Sequence, residues 1–198
     1  TISWRPRFSG SIIDYGRDPV DSPTLERYNV QRPDGTYGGP TKPVQQAMHS
    51  ALADRIVALR DEGYPQKDTG ELRPPDLVMI DAHYGRDVVY AVCKQFGSSI
   101  RVIPYFSAGT SKNIRWSDPK PGKGVKVGFH FFRKWQKTKR IWLYHNDHDY
   151  WLRFVHDAFS APQGGPGALD LFGSEPTAHR RFAEQILAET GQQYYTPD

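Results

Sequence analysis

Leu77-Val78-Met79-Ile80 is a short apolar run that stops at an acid, Asp81. Gly85 follows, and Val88, Val89, Ala91, Val92 and Phe96 then recur at helical spacing. The run predicts a buried central strand, and an unpaired carboxylate at its exit would cost several kcal/mol. In open α/β sheets ligands gather beyond the carboxyl ends of the strands. A divalent, oxygen-loving ion such as Mg²⁺ or Mn²⁺ would keep Asp81 ionised and remove that cost. The purely structural alternative is that Asp81 accepts backbone N–H groups from the turn into the next helix. His83 could orient a water or a phosphate beside it. Asp87 falls in the first turn of that helix, where it suits the helix dipole and could also support a ligand.

Other acids and histidines have weaker claims. Asp14 closes a second apolar strand, Ser11-Ile12-Ile13, and could approach the same sheet edge as a metal contact. Tyr15-Gly16 equally marks it as the start of a turn. His145-Asn146-Asp147-His148-Asp149 matches no zinc spacing. Ahead of a Trp-led amphipathic helix these are capping residues, with Asp147 the expected cap. The small-residue loop Ser107–Ser111 before Lys112 could present N–H groups to phosphate. It lacks a Gly-Lys-Ser/Thr sequence, so no ATP site is predicted.

Positive charge is concentrated. Residues 112–140 hold Lys112, Arg115, Lys120, Lys123, Lys126, Arg133, Lys134, Lys137, Lys139 and Arg140 against one acid, Asp118. That is a surplus of nine, while the other 16 basic and 21 acidic residues leave the remainder at minus five. A basic belt on an acidic body predicts contact with a polyanion, through Lys112, Lys120, Lys123, Lys126, Arg133, Lys134, Lys137, Lys139 and Arg140. The interleaved Phe129, Phe131, Phe132 and Trp135 read more readily as core than as stacking platforms.

The elements that must position these groups are a strand at 9–15, a Pro/Gly-rich loop at 17–42, and a helix from Pro43 to Glu62 stopped by Gly63. A polar linker at 64–75 precedes the strand 77–81, the helix 86–97 and a strand 100–105. Strand-like pieces follow at 125–132 and 140–144, then a helix at 148–160. A Pro/Gly loop spans 161–173, and a last helix spans 176–189 with Phe182, Ala183, Ile186 and Leu187 inward. Strand–helix–strand around 77–105 predicts an α/β sheet with a parallel crossover.

Length fits one domain, 1–198, with 112–140 as a basic loop-and-strand insertion. The 37% apolar residues include no run long enough to span a membrane, and no signal peptide is evident. The single cysteine, Cys93, sits on an apolar helix face and reads as a core thiol. The absence of an initiator Met and of closing elements suggests a piece of something longer.

Several motifs in order resemble the nuclease domain of phage terminase large subunits of the lambda type. They are Ile12-Ile13-Asp14-Tyr15-Gly16, Leu77-Val78-Met79-Ile80-Asp81 with Gly85 and Val88-Val89-Tyr90, and Arg101-Val102-Ile103-Pro104. Asp149-Tyr150-Trp151, Gly167-Ala168-Leu169-Asp170-Leu171-Phe172 and Phe182–Glu189 complete the series. The resemblance implies an RNase H-like mixed β-sheet flanked by helices, and a two-metal endonuclease using Mg²⁺ or Mn²⁺ to cut concatemeric double-stranded DNA during genome packaging. It makes Asp81 the catalytic metal ligand and leaves the remaining carboxylates outside this chain. It also implies an ATPase domain upstream in the same chain, a small subunit and a portal as partners, and the cytoplasm of a bacterial host. A catalytically inert DNA-gripping or motor-docking module is the alternative. A third possibility is an unrelated α/β domain that takes nucleotides or small acids at the Asp81 edge.

Overall fold

The computed structural model describes residues 2–4, 9–16, 22–26, 39–66, 68–97, 99–108 and 122–188. In chain order they form β1 (Ile2–Trp4), β2 (Gly10–Ile12), α1 (Pro23–Glu26), α2 (Lys42–Asp61), β3 (Tyr64–Pro65) and β4 (Leu72–Arg73). Then come β5 (Val78–Asp81), α3 (Arg86–Phe96), β6 (Val102–Ala108), β7 (Val125–Gly128), β8 (Phe131–Gln136) and β9 (Ile141–Asp147). The last are α4 (His148–Ser160), β10 (Leu169–Leu171), a 3₁₀ turn (Pro176–His179) and α5 (Arg180–Ala188). The fold is mixed α/β. Contacts divide it into two compact units, Thr1–Gly16 with Leu152–Asp198, and Arg17–Trp151.

The larger unit is built on a five-stranded sheet in the order β5-β6-β9-β8-β7. β5, β6 and β9 run parallel, and β8 and β7 continue the sheet antiparallel. α3 forms the crossover from β5 to β6, as the strand–helix–strand pattern predicts. Its apolar stripe buries Val88, Val89, Val92, Cys93 and Phe96. Val89, Val92, Cys93 and Phe96 pack with Ile56 of α2 and with Val78, Ile80, Val102, Phe106, Ile141 and Leu143 of the sheet. One sheet face therefore carries the core. Burial drives the Cys93 thiol up to about 12, so it is an inert member of that core.

Alternation places the remaining side chains on the opposite face, and there Met79 is 43% exposed and Trp135 37%. β5 is thus an edge strand of the described sheet with one solvated face. This corrects the expectation of a buried central strand, because the central positions belong to β6 and β9.

The smaller unit pairs β1 antiparallel with β2, and β2 parallel with β10. Ile12, Ala158 and Leu169 form its core, with Tyr15, Val155, Phe159, Leu171 and Phe182 packed around them. Leu169–Leu171, expected within a loop, is a strand because β2 supplies its hydrogen-bonding partner. The final helix is split by the 3₁₀ turn, and Leu187 is 66% exposed rather than inward.

Two further differences lie in the sheet. β6 extends through Ser107 and Ala108, which pair with Asn146 and Asp147 of β9. The piece 125–132 is two strands joined by a tight turn at Phe129 and His130, with His130 in the left-handed region at φ 50°. The Phe131 ring lies against Gly128, in the space a Cβ there would occupy.

Candidate functional site

Asp81 is the last residue of β5, and its side chain is 51% exposed. The burial cost that raised the question of a counter-ion therefore does not arise. Asp81 is not the N-cap of α3, which is Gly85 in the left-handed conformation without a side-chain bond, but it does accept from the turn into that helix. Its Oδ1 accepts from the His83 backbone N–H at 2.9 Å and from His83 Nδ1 at 2.7 Å. A carboxylate only accepts, so Nδ1 carries the proton and Nε2 is the other ring nitrogen. Both bonds fall on Oδ1, which leaves Oδ2 at the exit of the strand as the oxygen able to accept from a ligand.

His83 is held from the other side by Phe106, with ring centroids 3.9 Å apart and 20° between planes. The Arg86 guanidinium lies 5.4 Å from the same Phe106 centroid, while its Nε donates to the Ala82 carbonyl. The pair Asp81–His83 is thus fixed on the end of the sheet by an aromatic backing from β6. Asp87 does not join it. Asp87 forms an ion pair at 2.9 Å with Lys139, both side chains largely exposed, and such a pair contributes little to stability.

On the face opposite the core, Asp81 begins a cross-strand row. It pairs in register with Tyr105 of β6, Tyr105 with Tyr144 of β9, Tyr144 with Arg133 of β8, and Arg133 with Lys126 of β7. Four inter-strand steps make the row about 19 Å long. Burial, and then the Asp81 charge, raise the Tyr105 hydroxyl pKa, in keeping with the shared face. Arg133 donates to the Tyr144 hydroxyl at 3.1 Å and stands 5.0 Å from the Trp142 ring centroid. Lys126 is 5.9 Å from that same centroid, and both distances fall within cation–π range. Trp142 and Trp135 face each other on the neighbouring rung at 5.4 Å. Sequence reasoning alone misses Tyr105, Tyr144 and Trp142. Trp142 and Tyr144 are signalled only by their i, i+2 spacing, and Tyr105 joins them only once register is known.

The basic residues distribute unevenly around this row. Lys112 and Lys120 lie outside the described residues. Lys126 and Arg133 belong to the row. Lys134 projects to the opposite face, where its charge helps to lower the His145 pKa. Lys123 precedes β7, and Lys137, Lys139 and Arg140 occupy the exposed turn between β8 and β9. From 122 to 140 there are seven basic residues and no acid. Of the aromatics read as core, Phe129 is 68% exposed and Phe131 and Trp135 more than a third. Phe132 does pack, stacked on His145 at 4.5 Å.

Asp147 caps α4 as expected, accepting from the Tyr150 N–H at 3.1 Å through Oδ1. Its Oδ2 lies 2.9 Å from His130 Nδ1. The His130 ring stacks on Tyr150 at 3.6 Å, and its carbonyl accepts from Trp151 Nε1 and from the Asp147 N–H. These contacts hold a residue in a conformation that costs a side-chain-bearing residue about 1–2 kcal/mol.

Asp14 follows β2 in the smaller unit, at intermediate burial. Among the described residues no three His, Cys, Asp or Glu side chains gather where they could hold a metal ion. The described donors near Asp81 are one carboxylate and one imidazole, which do not by themselves make up a two-ion centre. Comparison with protein-family models, curated proteins and solved structures finds no match. No helix among the described residues is long and apolar enough to cross a membrane.

Proposed function

We propose that this chain is the nuclease domain of a phage-type terminase large subunit, with an RNase H-like sheet, acting on double-stranded DNA during genome packaging. The observation that carries the reading is the row that runs from Asp81, with its accepting Oδ2, through Tyr105 and Tyr144 to Arg133 and Lys126. It joins a carboxylate at a strand exit to a cationic hairpin on one face of one sheet. Asp81 would be one ligand to Mg²⁺ or Mn²⁺, which supply the activation of water and the stabilisation of the leaving oxygen. Further carboxylates would come from segments outside the described residues. His83 orients the Asp81 carboxylate by donating to Oδ1, which leaves Oδ2 to accept from a ligand. The basic residues 123–140 attract and hold the phosphate backbone. An upstream ATPase domain, a small subunit, a portal and the bacterial cytoplasm belong to the same proposal.

Plasmid cleavage in Mn²⁺ by the chain together with its flanking sequence, beside its Asp81→Asn variant, tests this reading. Cleavage that depends on Asp81 supports it. DNA binding with a steep salt dependence, but no cleavage by either protein, would favour an inert DNA-gripping module instead. The exposed hairpin charge, seven basic residues without an acid, would account for that outcome equally well.

A further inference from the structure

The five-stranded sheet has one face covered by α2 and α3 and a second face of different chemistry. On that second face stand Met79, Tyr105, Arg133, Trp135, Trp142 and Tyr144 by strand alternation, with Phe131 and Lys126 beside them. Met79, Phe131 and Trp135 are each more than a third exposed. Met79 stands on β5 and the other two on β8, with Tyr105, Trp142 and Tyr144 on the strands between, so the face as a whole is apolar and aromatic, the character of an interaction surface. Two cations, Arg133 and Lys126, lie over the same Trp142 ring, so charge and flat π-surface are interleaved.

We infer that this face binds an unpaired DNA strand, its bases stacked on the aromatic side chains and its phosphates on Arg133 and Lys126, with the strand directed toward Asp81. The inference rests on the nuclease reading for its direction and adds that the DNA is locally unpaired where one of its strands meets this face. Two properties select this occupant. Arg133 and Lys126 put two cations on this face, which complement a polyanion. In a duplex the base faces are already stacked on one another, so aromatic side chains standing on a sheet reach them only in a strand whose bases are free. Arg133 is suited to both tasks. Its guanidinium plane stacks while its remaining N–H groups donate to phosphate, and its bond to the Tyr144 hydroxyl sets its direction beforehand.

The test uses the 198-residue chain without metal, a fluorescent oligo-dT strand, and a blunt duplex of equal length. Fluorescence anisotropy is expected to give at least about tenfold tighter binding of the single strand, and tryptophan emission should be quenched on binding. Trp135→Phe keeps most of the affinity and loses part of the quench. Trp135→Ser weakens single-strand binding by roughly five- to a hundredfold. Should Trp135→Ser fail to fold, the wild-type preference and quench still decide. Equal or tighter binding of the duplex overturns the inference, as does unchanged affinity in a folded Trp135→Ser protein. Asp81→Asn separates this result from the nuclease reading, because it is expected to bind the single strand at least as tightly as wild type while losing cleavage. Asp81-dependent cleavage without single-strand preference would sink the inference and leave the nuclease reading standing.

Discussion

Asp81 and Arg133 stand in one cross-strand row, three strands apart, with Tyr105 and Tyr144 between them. The row sets a negative group and a positive group at opposite ends of a continuous tyrosine surface. A DNA backbone that met Arg133 first would be drawn along the sheet, and its approach to Asp81 would require a cation beside that carboxylate.

Asp81→Asn should lower Mn²⁺-dependent cleavage about a hundredfold or more while leaving the folded state nearly as stable. The side chain is half exposed on an edge strand, and surface changes of this kind shift stability by about 0.5 kcal/mol or less. Plasmid nicking and a denaturant melt on the same preparations check both halves.

Arg133→Gln should reduce the slope of log affinity against log salt by about 1, as expected for loss of one phosphate contact. It also removes the cation over Trp142 and the donor to Tyr144, so affinity should fall at every salt concentration. Titrations from about 50 to about 300 mM salt, a range over which screening tightens steadily, would read the slope.

Gly63→Ala and Gly85→Ala make a matched pair, because both glycines have φ of 59°. A Cβ at Gly63 would come 2.8 Å from the backbone of Arg73, which cannot give way without moving β4. A Cβ at Gly85 would meet only the end of the flexible Met48 side chain, at 2.6 Å. The expected cost is about 2–5 kcal/mol at Gly63 and about 1–2 kcal/mol at Gly85, read as the difference in unfolding free energy.

Asp147→Ala removes an N-cap and the acceptor beside His130 in one step. A loss of about 1–3 kcal/mol is expected, equivalent to roughly 3–10 °C for a chain of this size. Asp147→Asn keeps a capping oxygen and should lose clearly less. Equal losses in the two variants would show that the charge toward His130, and not the cap, dominates.

His145 gives the stability a pH dependence. Burial, followed by the charges of Lys134 and Arg86, pushes its pKa down to about 4, while the unfolded chain titrates near 6.5. The unfolded state therefore binds the proton first. This contribution is complete above pH 6.5 and is lost as pH falls from there toward 4. His145→Phe, which keeps the stacking on Phe132 and contact with Phe106, should flatten the melting temperature across that window.

Local rules written in the residue order set the helices and their ends. α2 begins at a proline-bearing first turn and stops before Gly63, and α3 and α4 keep the boundaries that their apolar spacing and flanking residues predict. Asp147 was legible as a cap, and Cys93 as a core thiol, because capping and helical burial depend on residues within a turn or two. Which strands adjoin depends on long-range pairing instead. Leu77–Asp81 has the composition of a central strand, yet among the described strands β5 lies at the edge and β6 and β9 lie inside, since strand order follows from pairings across the chain and leaves no local trace. The same holds for β10, three residues long, whose partner β2 lies about 160 residues away. The turn at Phe129–His130 interrupts an alternation that otherwise reads as one strand, and Asp147, Tyr150 and Trp151 hold it in place. The row from Asp81 to Lys126 belongs to the same class. Its five residues lie on five separate strands, and register alone brings them to one face.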